Sequence, residues 1–204
     1  MDLIVKCIGY EKEFVFYTDS EFTSGLSYYD NSDIFVRKLS LQVFDTDGNR
    51  KANNLVGEIE VILLDEDELD YHHLDVLDVV DTYSGEASSA MGALLKFKPY
   101  TELPFLTGNT VYVENFYIYP KYRNKGIATY IWENFGEILK YCIGRKICAI
   151  TTSIYPILKD NEEAEKMIKI MSKVLERTGF TKTDFDYVKV CITTEELMYS
   201  CNLK

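Results

Sequence analysis

The stretch VENFYIYPKYRNKGIATYIWENF, residues 113–135, places an alternating aromatic segment directly before a proline, several basic residues and a glycine. Apolar residues after the glycine recur at helical spacing, which predicts a strand ending at Pro120 and a helix beginning near Gly126. A helix N-terminus presents N–H groups without intrahelical partners, and Arg123 and Lys125 add positive charge there. These are the parts of a pyrophosphate-binding turn, and an ordinary strand-to-helix turn with a solvated basic tip is the alternative.

The pattern of apolar residues along the whole chain predicts one α/β domain over residues 1–204. Two alternating segments around an Asp-Gly turn predict an antiparallel hairpin, and a helix between two later strands predicts a parallel crossover. Gly85 interrupts one helical segment, so two helices are possible there. Residues 10–32 and 98–109 read as irregular structure and a loop. Strands are predicted at 2–8, 33–45, 55–65, 110–120, 146–156 and 186–199, and helices at 72–97, 126–143 and 161–180.

Composition and charge narrow the possible partners. The net charge of -11 disfavours nucleic acid and favours a cationic or amine-bearing partner, although acidity also serves solubility alone. The odd count of five cysteines, without C-x-x-C spacing, indicates reduced thiols. No secretory signal and no apolar run long enough for a membrane span stand in the sequence. We therefore expect a cytoplasmic protein without membrane contact, either monomer or homodimer, and the spacing of its histidines and acids predicts no metal site.

One motif resembles a known family. RNKGIA (123–128) is similar to the R/Q-x-x-G-x-G/A motif of the GNAT superfamily of N-acetyltransferases. The likeness extends to LVGEIEV (55–61) and to ERTGF (176–180), and it covers residues 110–192 well and 33–64 weakly. The resemblance implies a central mixed, mostly antiparallel sheet with flanking helices and a parallel strand pair that splays apart.

The resemblance also implies acetyl transfer from acetyl-CoA to a primary amine, a small molecule or a peptide, by direct attack. The pantetheine arm would hydrogen-bond to strand backbone, and the pyrophosphate would lie on backbone amides with basic side chains nearby. The residues implied to bind the cofactor are Tyr117, Ile118, Tyr119, Arg123, Asn124, Lys125, Gly126, Ile127, Ala128 and Thr129.

The resemblance is less definite about catalysis. Glu114 is the favoured general base, with Tyr112 at the alternative position, and Glu114 could instead be a solvated residue or bind a cationic acceptor. Many relatives carry a tyrosine as general acid where this chain has Leu175. Tyr155 is a substitute acid or a packing residue. A catalytically weak GNAT-fold protein that binds CoA or regulates a partner is therefore the alternative function.

The sequence indicates less about the acceptor than about the cofactor or the catalytic residues. The helical segment 72–97 stands between the hairpin and the cofactor strand, where it is expected to form part of the acceptor wall. Asp75, Asp78 and Asp81 recur along it at intervals of three residues. Acidic side chains in that wall would favour an amine, a polyamine or a basic side chain over an acid.

Overall fold

A computed structural model describes most of the chain as one sheet with helices on both faces. Its described residues are 3–10, 36–46, 52–101, 109–144, 146–154, 161–183 and 186–191. The strands in this part of the chain are β1 (Leu3–Tyr10), β2 (Val36–Thr46), β3 (Ala52–Asp65), β4 (Asn109–Ile118), β5 (Ile147–Ser153), β6 (Thr181–Lys182) and β7 (Asp186–Val190). They form a sheet in the order β1-β2-β3-β4-β5-β7-β6.

The helices follow the predicted periodicity closely, with two short additions. They are α1 (Glu66–Tyr71), α2 (Val76–Tyr83), α3 (Gly85–Leu95), α4 (Lys98–Thr101), α5 (Ile127–Ile143) and α6 (Asn161–Arg177). The segment 72–97 does divide in two, because Ser84 leaves helical geometry and its hydroxyl accepts from the N–H of Ala87 to begin α3. The prediction of a loop over residues 98–109 was wrong at its start, because Lys98–Thr101 form α4. The short helix α1 was not predicted from the sequence.

The strand pairing confirms the expected fold class. β2 and β3 form the antiparallel hairpin, and β3 pairs antiparallel with β4. β4 and β5 are parallel and are joined by α5, whereas every other paired set of described strands is antiparallel. The sheet is therefore mixed and mostly antiparallel, with a single parallel pair among these strands.

Two apolar cores lie on opposite faces of the sheet, because successive strand residues point to opposite sides. One core joins the strands to α5 and α6, and the other joins them to α2 and α3. Tyr112 belongs to the core under α3, while its neighbour Val113 belongs to the core under α5. The end of β4 thus borders both layers, and chemistry placed there can use side chains from either face.

Gly57 explains why the end of β4 lies so close to β3. A Cβ built on Gly57 would lie 2.5 Å from the carbonyl oxygen of Tyr117 and 2.7 Å from Cδ1 of Ile118. Any larger residue would push β4 away at the segment predicted to bind pantetheine. The Val-Gly pattern noted in the sequence therefore has a packing reason.

Candidate functional site

β5 pairs with only the first half of β4. The parallel ladder ends at Val113 and Thr152, whereas β4 continues beside β3 to Ile118. The hydroxyl of Thr152 donates to the carbonyl of Val113 at 3.0 Å and closes the shared ladder. Past that point β5 has one further strand residue, Ser153, which pairs with Asp186 of β7, so the described ladder between β4 and β5 covers only the first half of β4.

A β-bulge in β4 directly follows Val113, the last residue that pairs with β5. Val61 of β3 faces Val113, but the next β3 pairing joins Glu60 to Asn115, so Glu114 is the extra residue on β4. A bulge increases local twist and redirects the strand, which helps β4 to turn away from β5. The predicted base therefore lies at a bulge in the pairing of β4 with β3.

The turn after β4 is built from backbone that few residues adopt. Pro120 begins a single 3-10 turn. The sequence predicted only that the strand ends at Pro120. Asn124 and Gly126 both have positive φ, at 58° and 77°. Gly126 is the N-cap residue of α5, and a Cβ on it would meet no atom within 4 Å. This concave turn leaves open space directly against the backbone, which fits a phosphate group.

The first N–H groups of α5 face that space. The first helical hydrogen bond runs from the N–H of Tyr130 to the carbonyl of Gly126 at 3.0 Å. The N–H groups of Ile127, Ala128 and Thr129 have no acceptor within the described residues, and no side chain caps the helix. Orphan amides at the positive end of a helix are the usual protein ligands of a phosphate.

Three cations surround the turn, and aromatic rings hold them. Lys121 and Lys125 lie 4.7 and 5.2 Å from the ring centre of Tyr122, and Arg123 lies 5.2 Å from that of Tyr117. Cation–π contacts of this kind limit the mobility of exposed basic side chains. The turn is therefore a local positive site on a chain of net charge -11.

Arg123 also has a structural contact that the sequence did not indicate. Its Nε donates to the carbonyl of Ile118 at 2.8 Å, which ties the end of β4 to the turn. This bond uses one of the five guanidinium donors. Arg123 therefore orients the strand end as well as contributing charge.

The other face of the bulge is acidic and contains one lysine. Lys38 of β2 pairs with Glu114 at 2.8 Å and lies 3.9 Å from Glu60. The hydrogen bond that Lys38 donates to Glu114 raises the pKa of Lys38, against a smaller effect of burial. Glu114 is one-third exposed, so solvent reaches its carboxylate. The sequence did not indicate Lys38, since the contact depends on strand register.

Three polar side chains from neighbouring strands meet beside the bulge. The hydroxyl of Ser153 on β5 donates to the carboxylate of Asp186 on β7, and Tyr112 of β4 is close enough to both groups for them to affect its pKa. Tyr112 and Asp186 are buried, at 4% and 3% exposure. Burial raises the pKa of Tyr112 to about 12, with Glu86, Asp186 and Glu114 adding to the effect. Sequence reasoning missed Ser153 and Asp186.

Two positions were considered for the general acid, and the structure describes one of them. Leu175 is fully buried in the apolar core under α5, beside Phe180 and Tyr187. Tyr155 lies outside the described residues, so its role stays a prediction. Leu175 therefore packs in the core and offers no hydroxyl at this position.

Two other expectations concern groups outside this site. Within the described residues no group of three or more His, Cys, Asp or Glu side chains could hold a metal ion. Cys142, Cys148 and Cys191 are free thiols. No helix in the part of the chain described here has the length and apolarity to cross a membrane.

Comparison with known proteins gives structural but not sequence neighbours. No protein-family model and no curated protein sequence matches the chain. Arabidopsis thaliana NAA60 in complex with acetyl-CoA aligns at a TM-score of 0.41 and 13% identity, over 94% of this chain and 100% of that one. The same protein with a bisubstrate analogue aligns at 0.37 and 14%, over 74% and 72% of the two chains.

A third neighbour comes from an insect. The putative arylalkylamine N-acetyltransferase 7 of the yellow fever mosquito aligns at a TM-score of 0.37 and 16% identity, over 73% of this chain and 62% of that one. The structural neighbours of this chain are therefore GNAT acetyltransferases, at modest TM-scores.

Proposed function

We propose that this chain binds acetyl-CoA where β4 and β5 part and transfers the acetyl group to a primary amine. The observation that carries the proposal is that β4, beyond Val113, continues without a pairing to any described residue of β5 and leads through the turn into the N-terminus of α5. That path offers strand backbone at Tyr117 and then the orphan amides of residues 127–129. A pantetheine arm can hydrogen-bond to the strand backbone, and a pyrophosphate can accept hydrogen bonds from the helix amides.

The pantetheine and the pyrophosphate of the cofactor would each bind a different set of backbone groups. The backbone of residues 117–119 would hold the pantetheine, and the amides from Asn124 to Thr129 would hold the pyrophosphate. Arg123 and Lys125 would add charge near it, as their ring contacts place them beside the turn. When bound, acetyl-CoA supplies a thioester whose acetyl carbon accepts the amine.

The acceptor would lie on the side of the bulge that carries Glu114. The carboxylates of Glu60, Glu86, Glu114 and Asp186 lie on or near this side, which favours a cationic amine. Glu114 would take a proton from the ammonium so that a neutral nitrogen can attack. The departing thiolate can be protonated by water, since a free thiol has a pKa of about 8 to 9. The buried Leu175 therefore does not prevent turnover.

α2 and α3 are proposed as part of the acceptor wall, because they pack on the face of the sheet that carries Tyr112. Asp75 is already used there, since its carboxylate caps α2 by accepting from the N–H groups of Leu77 and Asp78. Asp81 is exposed, so Asp81→Asn tests the wall without removing that cap. A raised KM for the amine is expected, and an unchanged KM would exclude Asp81 from acceptor binding.

Calorimetry of the purified chain with acetyl-CoA and with CoA tests cofactor binding directly. Micromolar affinity corresponds to about 8 kcal/mol, which is easily measured. Gly126→Glu should weaken binding by about 10²-fold or more, because its side chain would occupy the phosphate position and repel it. Failure of the wild-type chain to bind either molecule would refute the enzyme proposal.

Gly144 supplies a matched control at the other end of the same helix. It also has a positive φ, of 72°, and a Cβ there would also meet no atom within 4 Å. Gly144→Glu therefore introduces the same charge and the same backbone strain without touching the proposed site. Equal losses of affinity in both variants would show that helix strain, not phosphate contact, causes the effect.

A second function is supported by one observation. The buried, apolar Leu175 leaves no hydroxyl at the position where relatives often carry the general acid. The chain would then bind CoA and act as a regulatory partner without efficient catalysis. Binding of acetyl-CoA without release of CoA in the presence of any primary amine would favour this function over acetyl transfer.

A further inference from the structure

Two buried side-chain donors under α5 lack a hydrogen-bond partner in the part of the chain that the structure describes. They are the hydroxyl of Tyr187 on β7 and the indole N–H of Trp132 on α5. Both side chains belong to the core under α5, and they are 2% and 1% exposed. A buried donor without a partner costs stability, because it has lost its bonds to water and gained none in the protein. Such a donor therefore indicates a group whose acceptor belongs to a bound molecule.

Strand register places Tyr187 at the end of the ladder between β4 and β5. Val113 is the last residue of β4 that pairs with β5, and its partner there is Thr152. Thr152 pairs in turn with Tyr187 of β7. The three residues form one row across the sheet, and the next residue of β4 after this row is Glu114, the proposed base.

Trp132 lies further along β4, toward the turn before α5. Its ring stacks on that of Phe116 at a centroid distance of 4.6 Å, and Phe116 stands three residues beyond Val113. Lys189, two residues beyond Tyr187 on β7, donates to the carbonyl of Trp132 at 3.3 Å. A cofactor whose pyrophosphate lies at the turn would therefore run past Trp132 and bring its reacting end to the row of Tyr187.

The reacting end of an acyl-CoA gains most from a donor at its sulfur atom. When the amine attacks, the C–N bond forms, the C–S bond breaks, and sulfur leaves with the electron pair as a thiolate. A neutral sulfur accepts hydrogen bonds weakly, whereas an ionised acceptor binds a donor about twice as strongly as a neutral one. A fixed donor at this atom thus stabilises the departing thiolate more than the bound thioester, which lowers the barrier to C–S cleavage.

We propose that the hydroxyl of Tyr187 donates a hydrogen bond to the sulfur of the leaving CoA. The inference rests on the proposed function. Tyr187 keeps its own proton throughout. Glu114 takes the first proton of the alkylammonium and passes it to solvent, the nitrogen loses its second proton to solvent after attack, and the thiolate takes one from water. One proton is therefore released overall for each acetyl group transferred.

Urea unfolding without cofactor tests whether the hydroxyl of Tyr187 is an orphan. Tyr187→Phe should be at least as stable as wild type, with a folding equilibrium constant up to about fivefold higher, because it removes an unsatisfied donor. Tyr100→Phe is the matched control, since Tyr100 is also buried but its hydroxyl donates to the carboxylate of Glu66. The control should lose about fivefold or more in the same constant. A loss of stability in Tyr187→Phe would overturn the proposal, because the hydroxyl would then have a partner within the chain.

Calorimetry with CoA tests the contact to sulfur and needs no acceptor amine. At about pH 9 at least half of free CoA carries a thiolate, since a free thiol has a pKa of about 8 to 9. Tyr187→Phe should bind CoA about tenfold more weakly than wild type at this pH, whereas Tyr100→Phe should bind it as wild type does. The desulfo analogue of CoA, in which hydrogen replaces the thiol, should bind wild type and Tyr187→Phe equally.

The outcomes separate this inference from the proposed function. A wild-type chain that binds neither CoA nor acetyl-CoA refutes the proposed function and the inference with it. If wild type binds CoA and Tyr187→Phe binds it equally well, the sulfur contact is overturned while the cofactor site stands. Equal losses for CoA and its desulfo analogue also overturn the contact, because the hydroxyl would then meet another part of the cofactor.

Discussion

Glu114 combines an irregular backbone position with a specific ionic contact. The bulge turns it out of the regular alternation of β4, and Lys38 pairs with it at 2.8 Å. The lysine holds the carboxylate at the acceptor side of the strand. An incoming ammonium would meet the same carboxylate and could exchange with Lys38.

Replacing Glu114 tests its role as base. Glu114→Gln should lower kcat with an amine acceptor by about 10²-fold or more, because a positioned general base contributes at least that much. Glu60→Gln is the matched control, since Glu60 is also near Lys38 but lies on the neighbouring strand. Steady-state kinetics decides the question: similar effects in both variants would indicate that Glu114 only attracts the amine.

Tyr112 should make stability depend on pH in the alkaline range. Burial raises its pKa from 10.0 to about 12 in the folded chain. Between these values the unfolded chain loses the phenol proton and the folded chain keeps it, so stability falls as pH rises. Two pKa units correspond to about 2 to 3 kcal/mol. Urea unfolding at pH 9.5 and near pH 12 should show wild type losing about that much more stability than Tyr112→Phe, and equal losses would contradict the assignment.

At the scale of elements, the site depends on where secondary structure starts and stops. β4 ends and α5 begins within a turn whose residues Asn124 and Gly126 have positive φ. α2 begins at an aspartate cap and α3 at a serine cap. These caps and turns place α5 on one face of the sheet and α2 and α3 on the other.

The cap of α2 can be tested by itself. Asp75→Ala should destabilise the chain by about 1 kcal/mol, because two N–H groups of α2 lose their acceptor. Asp75→Ser keeps an acceptor and should recover most of that loss. Urea unfolding measures both, and an alanine variant as stable as wild type would show that α2 is held by packing alone.

At the scale of the whole molecule, charge is distributed unevenly. The chain carries a net charge of -11, yet Lys121, Arg123 and Lys125 surround the turn before α5. An anionic cofactor would thus meet a local positive site on an acidic surface. A cationic acceptor would instead be attracted by the molecule as a whole.

The salt concentration should therefore strongly affect kcat/KM for a cationic acceptor. Raising salt from about 0.05 M to about 0.5 M should lower kcat/KM for a triamine by about tenfold, because screening shortens the reach of surface charge. A monoamine of similar shape should lose less, since the attraction scales with its charge. Equal salt sensitivity of the two amines would mean that the acidic surface takes no part in acceptor capture.

Local sequence was sufficient for most of the architecture. Alternation predicted the hairpin and the cofactor strand, helical spacing predicted α5 and α6, and Pro120, Gly126 and Gly144 marked ends that the structure confirms. These features depend on residues within a few positions of one another, so they can be read from the chain directly. The turn proposed to bind phosphate belongs to this group, because its amides and its glycine are contiguous.

The acceptor side was largely invisible in the sequence. Lys38 meets Glu114 across three strands, and Ser153 donates to Asp186 across a separation of 33 residues. Such contacts depend on strand register, and a shift of one residue would turn each side chain to the opposite face. The bulge at Glu114 also arises from the pairing of β4 with β3. The turn before α5 could therefore be inferred from neighbouring residues, whereas Lys38 and Glu114, or Ser153 and Asp186, come together only when the sheet aligns its strands.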